Sequence, residues 1–256
     1  MRTLLVIGIG AGDPNHVTMQ AVNALNRVDV FLLPDKGADK DGLRALRREI
    51  CQRFIDKGRT YRFAEMAMPE REILAGDAYQ GGIETWRAAV TAGFERFIAE
   101  EVPDGQCGGF LVWGDPAIYD GTIRILDEIR AKGTLDFEVE VIPGISSVAA
   151  LAARHRVPLN RIGESIQITT GRRLEAGWPA DADNLVVMLD GRQAYERVAD
   201  PDVEIFWGAY VGSADEILIS GPLPEMAAKI SAARAAAQAK HGWIMDSYLL
   251  RKKRPS

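Results

Sequence analysis

Short apolar runs that break on glycine, each leading into a helix-forming stretch, narrow the fold of this chain more than any other feature. Leu4 to Ile9 is continuous, apolar and short, the pattern of a strand buried on both faces. Val17 to Arg27 then carries apolar residues at helical spacing. The alternation continues: a strand over Asp29 to Leu33, a polar loop from Lys36 to Gly42, and an amphipathic helix from Leu43 to Lys57. A third strand over Thr60 to Met66 and a long helix over Ile83 to Glu101 follow. Next come a strand over Gly109 to Trp113, a helix over Thr122 to Lys132 and a strand over Val139 to Ile142. Strands alternating with helices predict a mostly parallel α/β sheet with helices on both faces.

The second half has another texture. Its candidate strands are Ser165 to Thr169, Leu185 to Leu189, Glu204 to Val211 and Glu216 to Ile219, and only some are separated by helices. Pro224 to Lys240 is an Ala-rich helix with proline near its first turn, and Gly242 to Leu249 reads as a closing strand. A mixed sheet is expected there. The boundary is expected near residue 117, giving domains of residues 1–116 and 117–256.

Bulk properties exclude several classes. No apolar run approaches the roughly 18 residues of a membrane span, and no signal peptide precedes the first strand. The formal charge of −5 argues against general nucleic-acid binding, and the basic Arg251 to Arg254 tail reads as a solvated end. Cys51 and Cys107 lie far apart without metal spacing, so both read as reduced structural thiols of a cytoplasmic protein. No metal ligand set stands out.

Three strand ends carry the chemical signal. In "GIGAGDPNHVT" (Gly8 to Thr18), Gly8 and Gly10 fit a dinucleotide fingerprint, but Asp13 stands where its third glycine belongs. Asp13 brings negative charge to the helix start and Pro14 lacks an N–H, so the loop is poorly built for phosphate. The second turn, "WGDPAIYDGT" (Trp113 to Thr122), repeats the layout: Gly114 permits close backbone approach, Asp115 offers a carboxylate, and Ile118 and Tyr119 offer apolar cover. The third, "VIPGISSVAA" (Val141 to Ala150), adds Ser146 and Ser147, which suit either a ligand or a simple helix cap. Each turn alone also fits a plain strand end. Together they favour a ligand with little anionic charge.

These three motifs, in this order, resemble the tetrapyrrole (corrin and sirohaem) methyltransferase family. The resemblance implies two α/β domains with a ligand cleft between them, S-adenosylmethionine as methyl donor, a tetrapyrrole substrate and a homodimer. It implies that Asp13 lies on the tetrapyrrole side. It assigns donor contacts to Ala11, Trp113, Gly114, Asp115, Ile118, Ser146 and Ser147, with Asp115 near the donor's charged end. The strand in "NLVVMLDGRQA" usually ends in Met-Gly in that family; here Leu189 and Asp190 stand in those places. Gly212 and Gly242 match weaker contact regions. The stretch "LLPDKGADKDGLRALRREIC" is most similar to members that methylate C1 of precorrin-5 and release its acetyl group as acetate. The rivals are a family member acting on another precorrin carbon without deacetylation, and a corrinoid-binding protein without activity.

Methyl transfer needs alignment more than acid–base groups. Acetate release needs a base for water and a donor for the oxyanion. Asp35, at the end of the second strand, ranks first as base, ahead of His16, and Tyr119 is the candidate donor; His155 and His241 show no partner. Substrate carboxylates call for arginine. Arg172 and Arg173, after the strand in "ITTGRR", are the expected ligands, whereas Arg44, Arg47 and Arg48 read as a solvated helix face.

Overall fold

The apolar run at the start forms β1 (Arg2–Gly8), whose Leu4, Leu5, Val6 and Ile7 are fully buried. In this computed structural model, which describes residues 1–35, 41–69 and 78–253, β1 sits inside a parallel five-stranded sheet. Its strands are β2 (Val30–Asp35), β3 (Arg62–Ala67), β4 (Cys107–Val112) and β5 (Phe137–Ile142), in the order β3-β2-β4-β1-β5. Two helices, α1 (Met19–Leu25) and α2 (Asp41–Phe54), pack on one face through Ala21, Leu25, Leu46 and Ile50. The other face carries α3 (Ala78–Glu101) and α4 (Thr122–Lys132) through Val90, Phe94, Ile98, Leu126 and Ile129. Thr18 starts α1 as a side-chain cap, accepting from the Ala21 N–H at 3.0 Å. The helix is thus shorter than its apolar spacing suggested.

The second sheet is mixed: β6 (Ile166–Thr170), β7 (Asn184–Met188), β8 (Val203–Ala209), β9 (Ile217–Pro222) and β10 (Asp246–Lys252), in the order β6-β7-β10-β8-β9. It is accompanied by α5 (Ser147–His155), the short α6 (Gly171–Glu175) and α7 (Leu223–His241). Trp207, Tyr195 and Tyr248 fill its core. Two α/β domains, one parallel and one mixed, therefore match the expectation.

The boundary does not match. The chain divides into Met1–Gly10 with Pro14–Ile145, and Ala11–Asp13 with Ser146–Ser256. The first unit extends past residue 117 because β5 returns to pair with β1, from Arg2↔Phe137 to Ile7↔Ile142. In the basic tail Lys252 and Lys253 are exposed as expected, Arg254 lies outside the described residues, and Arg251 differs from expectation. Arg251 lies inside β10, 6% exposed, and its Nε donates to Asn184 Oδ1 at 3.1 Å. Both cysteines are free, and burial pushes the Cys51 thiol up to about 12 and that of Cys107 to about 11. Among the described residues, no helix is long and apolar enough to cross a membrane.

Candidate functional site

In the first unit the three strand-end turns meet backbone to backbone. Gly10 and Gly114 exchange hydrogen bonds, 3.3 Å and 2.8 Å long. A Cβ on Gly144 would fall 2.1 Å from the Gly114 carbonyl oxygen, and one on Gly8 would fall 2.5 Å from the Gly144 nitrogen. Only glycine permits such approaches. Asp115 ties the second turn to the third: Oδ1 accepts from the Ala117 N–H at 2.8 Å, and Oδ2 from the Gly144 N–H at 2.9 Å. Both carboxylate oxygens thus serve the backbone.

Beside these turns, Trp113 packs on the cluster under α1 and α2, and its buried Nε1 has no hydrogen-bond partner. The His16 Nδ1 is likewise buried and unpartnered. Tyr119 has a left-handed backbone (φ 53°) and a half-exposed ring, and desolvation pushes its hydroxyl above the ordinary 10.0. Ile118 closes the turn through its N–H to the Asp115 carbonyl at 3.2 Å. Asp35 ends β2, but its side chain, like the Lys36 to Lys40 part of the predicted loop, lies outside the described residues.

The second unit builds its turns differently. Leu189 takes φ 54° and is 65% exposed, whereas the next residue, Asp190, is 4% exposed. Asp190 accepts from the Arg192 and Ala194 N–H groups at 3.1 and 2.7 Å and from the Tyr248 hydroxyl at 2.6 Å. The Arg234 guanidinium donates to its carbonyl at 2.9 Å. The Asp190 carboxylate is thus committed to its own turn, the one that presents Leu189. Tyr210 (φ 49°) and Gly212 (φ 85°) form another turn, fixed by the Glu216 carboxylate, which accepts from the Gly212 N–H at 2.9 Å. Gly12 approaches this turn so closely that a Cβ would lie 2.8 Å from the Val211 carbonyl oxygen, and Ala11 is buried in the same unit.

The remaining predicted residues fall in plainer places. Ser146 caps α5, accepting from the Ala149 N–H at 3.2 Å, and Ser147 opens that helix. Gly242 is the left-handed C-cap of α7 (φ 74°). Arg172 and Arg173 project from α6, exposed. Asp13 lies in the electrostatic reach of Arg154. His155 Nε2 meets the Trp207 carbonyl at 3.0 Å and His241 lies 3.5 Å from Asp215, so both have structural partners. Sequence reasoning missed Glu216, Arg234 and Tyr248, whose partners lie far along the chain.

The profile of the Tetrapyrrole (Corrin/Porphyrin) Methylases matches residues 3–227. The chain belongs to this family. Its methylase relatives include a precorrin-6A synthase [deacetylating] from Sinorhizobium sp, 50% identical over 98% of this chain and 96% of the relative. A solved cobalamin synthesis related protein (CobF) from Corynebacterium diphtheriae aligns with TM-score 0.81 and 37% identity, over 98% of this chain and 99% of that one. The uroporphyrin-III C-methyl transferase of Thermus thermophilus, solved with S-adenyl homocysteine, shares the fold at TM-score 0.59 and 17% identity, over 97% and 92% of the two chains.

Proposed function

We propose that this methylase uses S-adenosylmethionine to methylate C1 of precorrin-5 and releases the C1 acetyl group as acetate, yielding precorrin-6A. The observation that carries this reading is the 50% identity to the deacetylating relative along nearly the whole of both chains. The residues fit such a donor. In the first unit, Trp113 keeps a buried N–H unpartnered beside the glycine-built turn of Gly114; in the second, Leu189 stands exposed on a left-handed turn. None of these features calls for an anion.

S-adenosylmethionine, when bound, supplies the methyl group. The chain's part in that step is orientation: Asp115 and Asp190 fix the turns that carry Gly114 and Leu189. Acetate release is hydrolytic. Water attacks the acetyl carbonyl carbon, the bond from that carbon to C1 breaks with release of acetate, and the electron pair left on C1, delocalised into the conjugated ring, is the nucleophile that would accept the methyl group. Tyr119 carries its proton at neutral pH, as any phenol does, and desolvation raises its pKa further above 10.0, so it can donate to the developing oxyanion. Asp35, at the carboxyl end of β2, is assigned the proton from water.

The test is stoichiometry. Purified protein given S-adenosylmethionine and precorrin-5 should release one acetate per methyl transferred. Methylation without acetate would replace this reading with that of a simple C-methyltransferase.

A further inference from the structure

The three arginines of α2 have separate fates. Arg44 and Arg48 reach Glu65, at 3.8 and 3.5 Å, and the Arg48 guanidinium lies over the Phe63 ring at 5.0 Å. Arg47 turns inward, and its Nε donates to the Leu111 carbonyl at 3.1 Å.

That carbonyl is available because two strands part. The Val112 carbonyl faces β1, where the Ile9 N–H donates to it at 2.9 Å. Leu111, one residue earlier, therefore points its carbonyl toward β2. Yet β2 pairs with β4 only at Val30↔Gly108 and Phe31↔Gly109, then follows β3 as far as Asp35↔Ala67. The guanidinium reaches the Leu111 carbonyl there.

This split is also where the topology reverses. From β2 the chain moves outward to β3; from β4 it moves the other way, past β1 to β5. The helices after β2 and β4 accordingly cover opposite faces of the sheet. Ligands of open parallel sheets sit at the carboxyl ends of such strands. Arg47 thus places a cation at the sheet's natural ligand position.

Among the described residues the cation is under-compensated. Burial holds the Arg47 guanidinium below its ordinary pKa, and Arg44 repels it. Asp120 attracts it, but Asp120 Oδ1 is already bonded to the Thr122 N–H at 2.8 Å. Among the described residues, no carboxylate stands within ion-pair distance of Arg47. With Nε committed to Leu111, the two Nη groups remain to form a fork for an incoming carboxylate.

We propose that Arg47 anchors one carboxylate of the tetrapyrrole's acetate or propionate arms, in the split between β2 and β4. The proposal rests on the function proposed above. The methyl donor also carries a carboxylate, so the test separates the two sources.

Arg47→Gln and Arg47→Lys are compared with wild type in full-length protein, by precorrin-5 turnover and by S-adenosylhomocysteine titration. The titration also certifies that each variant is folded. Arg47→Gln should raise KM for precorrin-5 about tenfold or more, the scale of a lost charge-assisted hydrogen bond, with kcat changed less than about twofold. Arg47→Lys should recover part of that loss, and millimolar guanidinium should lower the KM of Arg47→Gln. S-adenosylhomocysteine affinity should stay at the wild-type value. Unchanged KM in both variants overturns the anchor. So does weakened S-adenosylhomocysteine binding at constant KM, which assigns Arg47 to the donor's carboxylate. Wild-type protein that releases no acetate refutes the proposed function itself, a result distinct from either.

Discussion

Asp115 and Asp190 each follow a buried strand, β4 and β7, and each turns its carboxylate back onto backbone N–H groups. The turns they hold are built on different principles. In the first unit, Gly8, Gly114 and Gly144 approach one another to distances that no Cβ permits. Asp115 is one tie among several, and it remains partly open to solvent. In the second unit Leu189 and Tyr210, like Tyr119 in the first, carry side chains on left-handed backbones. Such positions cost on the order of 1 kcal/mol each, so they persist only where neighbours over-determine them. At Leu189 Asp190 supplies that constraint, with the Tyr248 hydroxyl on its carboxylate and Arg234 on its carbonyl. Arg234 in turn meets Asp246 at 3.0 Å. The Gly8, Gly114 and Gly144 contacts rest on omitted side chains, whereas the Leu189 turn rests on buried polar ones.

Asp190→Ala tests the difference most severely. It leaves the Tyr248 hydroxyl and the Ala194 N–H buried without their acceptor. The loss should be about 3 kcal/mol of unfolding free energy, read as a lower denaturant midpoint. A loss below about 1 kcal/mol, the scale of one ordinary hydrogen bond, would mean that the second unit holds its turns by packing alone.

Asp115→Ala should act on binding more than on stability. The glycine contacts survive the change, but the Gly144 N–H loses its acceptor and the second turn loosens. S-adenosylhomocysteine affinity should fall at least about tenfold, equivalent to roughly 1.5 kcal/mol, as measured by calorimetry. Wild-type affinity would show that glycine packing alone shapes the turn, and would separate Asp115 from the donor.

How much of this was legible follows from where the partners lie. The first-unit turns could be read because glycine is obligatory at their close approaches and occurs within each motif. The Leu189 turn was read as a departure from the family's Met-Gly, and Asp190 as a ligand contact. Its burial depends on Arg234 and Tyr248, which no local spacing links to it. The unit boundary was misplaced for a similar reason: β5 returns beside β1 across most of the first unit, a pairing that leaves no local mark. Arg251 looked like a solvated tail because its charge hides a strand position between β7 and β8. Arg47 looked like its neighbours on the helix; the parting of β2 from β4 sets it apart.

Glu216 offers the mildest test, and it depends on charge. Its side chain, 11% exposed, accepts from Gly212 and from Arg154, whose Nε lies 2.8 and 2.9 Å from the two carboxylate oxygens. Burial raises its pKa, but the hydrogen bonds from Arg154 and Gly212 and the Arg154 charge together bring it below the ordinary 4.5. A carboxylate depressed in the folded state adds stability that is present above its unfolded value and is lost as pH falls through the folded one. Asp246 behaves oppositely: burial outweighs Arg234 and Trp207 and raises its pKa above 3.8, so its contribution is lost as pH rises. Unfolding midpoints measured from about pH 3 to about pH 7 should therefore decline more shallowly below the carboxylate range in Glu216→Gln than in wild type. An unchanged acid limb would mean that the Gly212 turn keeps its shape without the charge. That turn would then belong with the glycine-built turns of the first unit rather than with the buried network around Asp190.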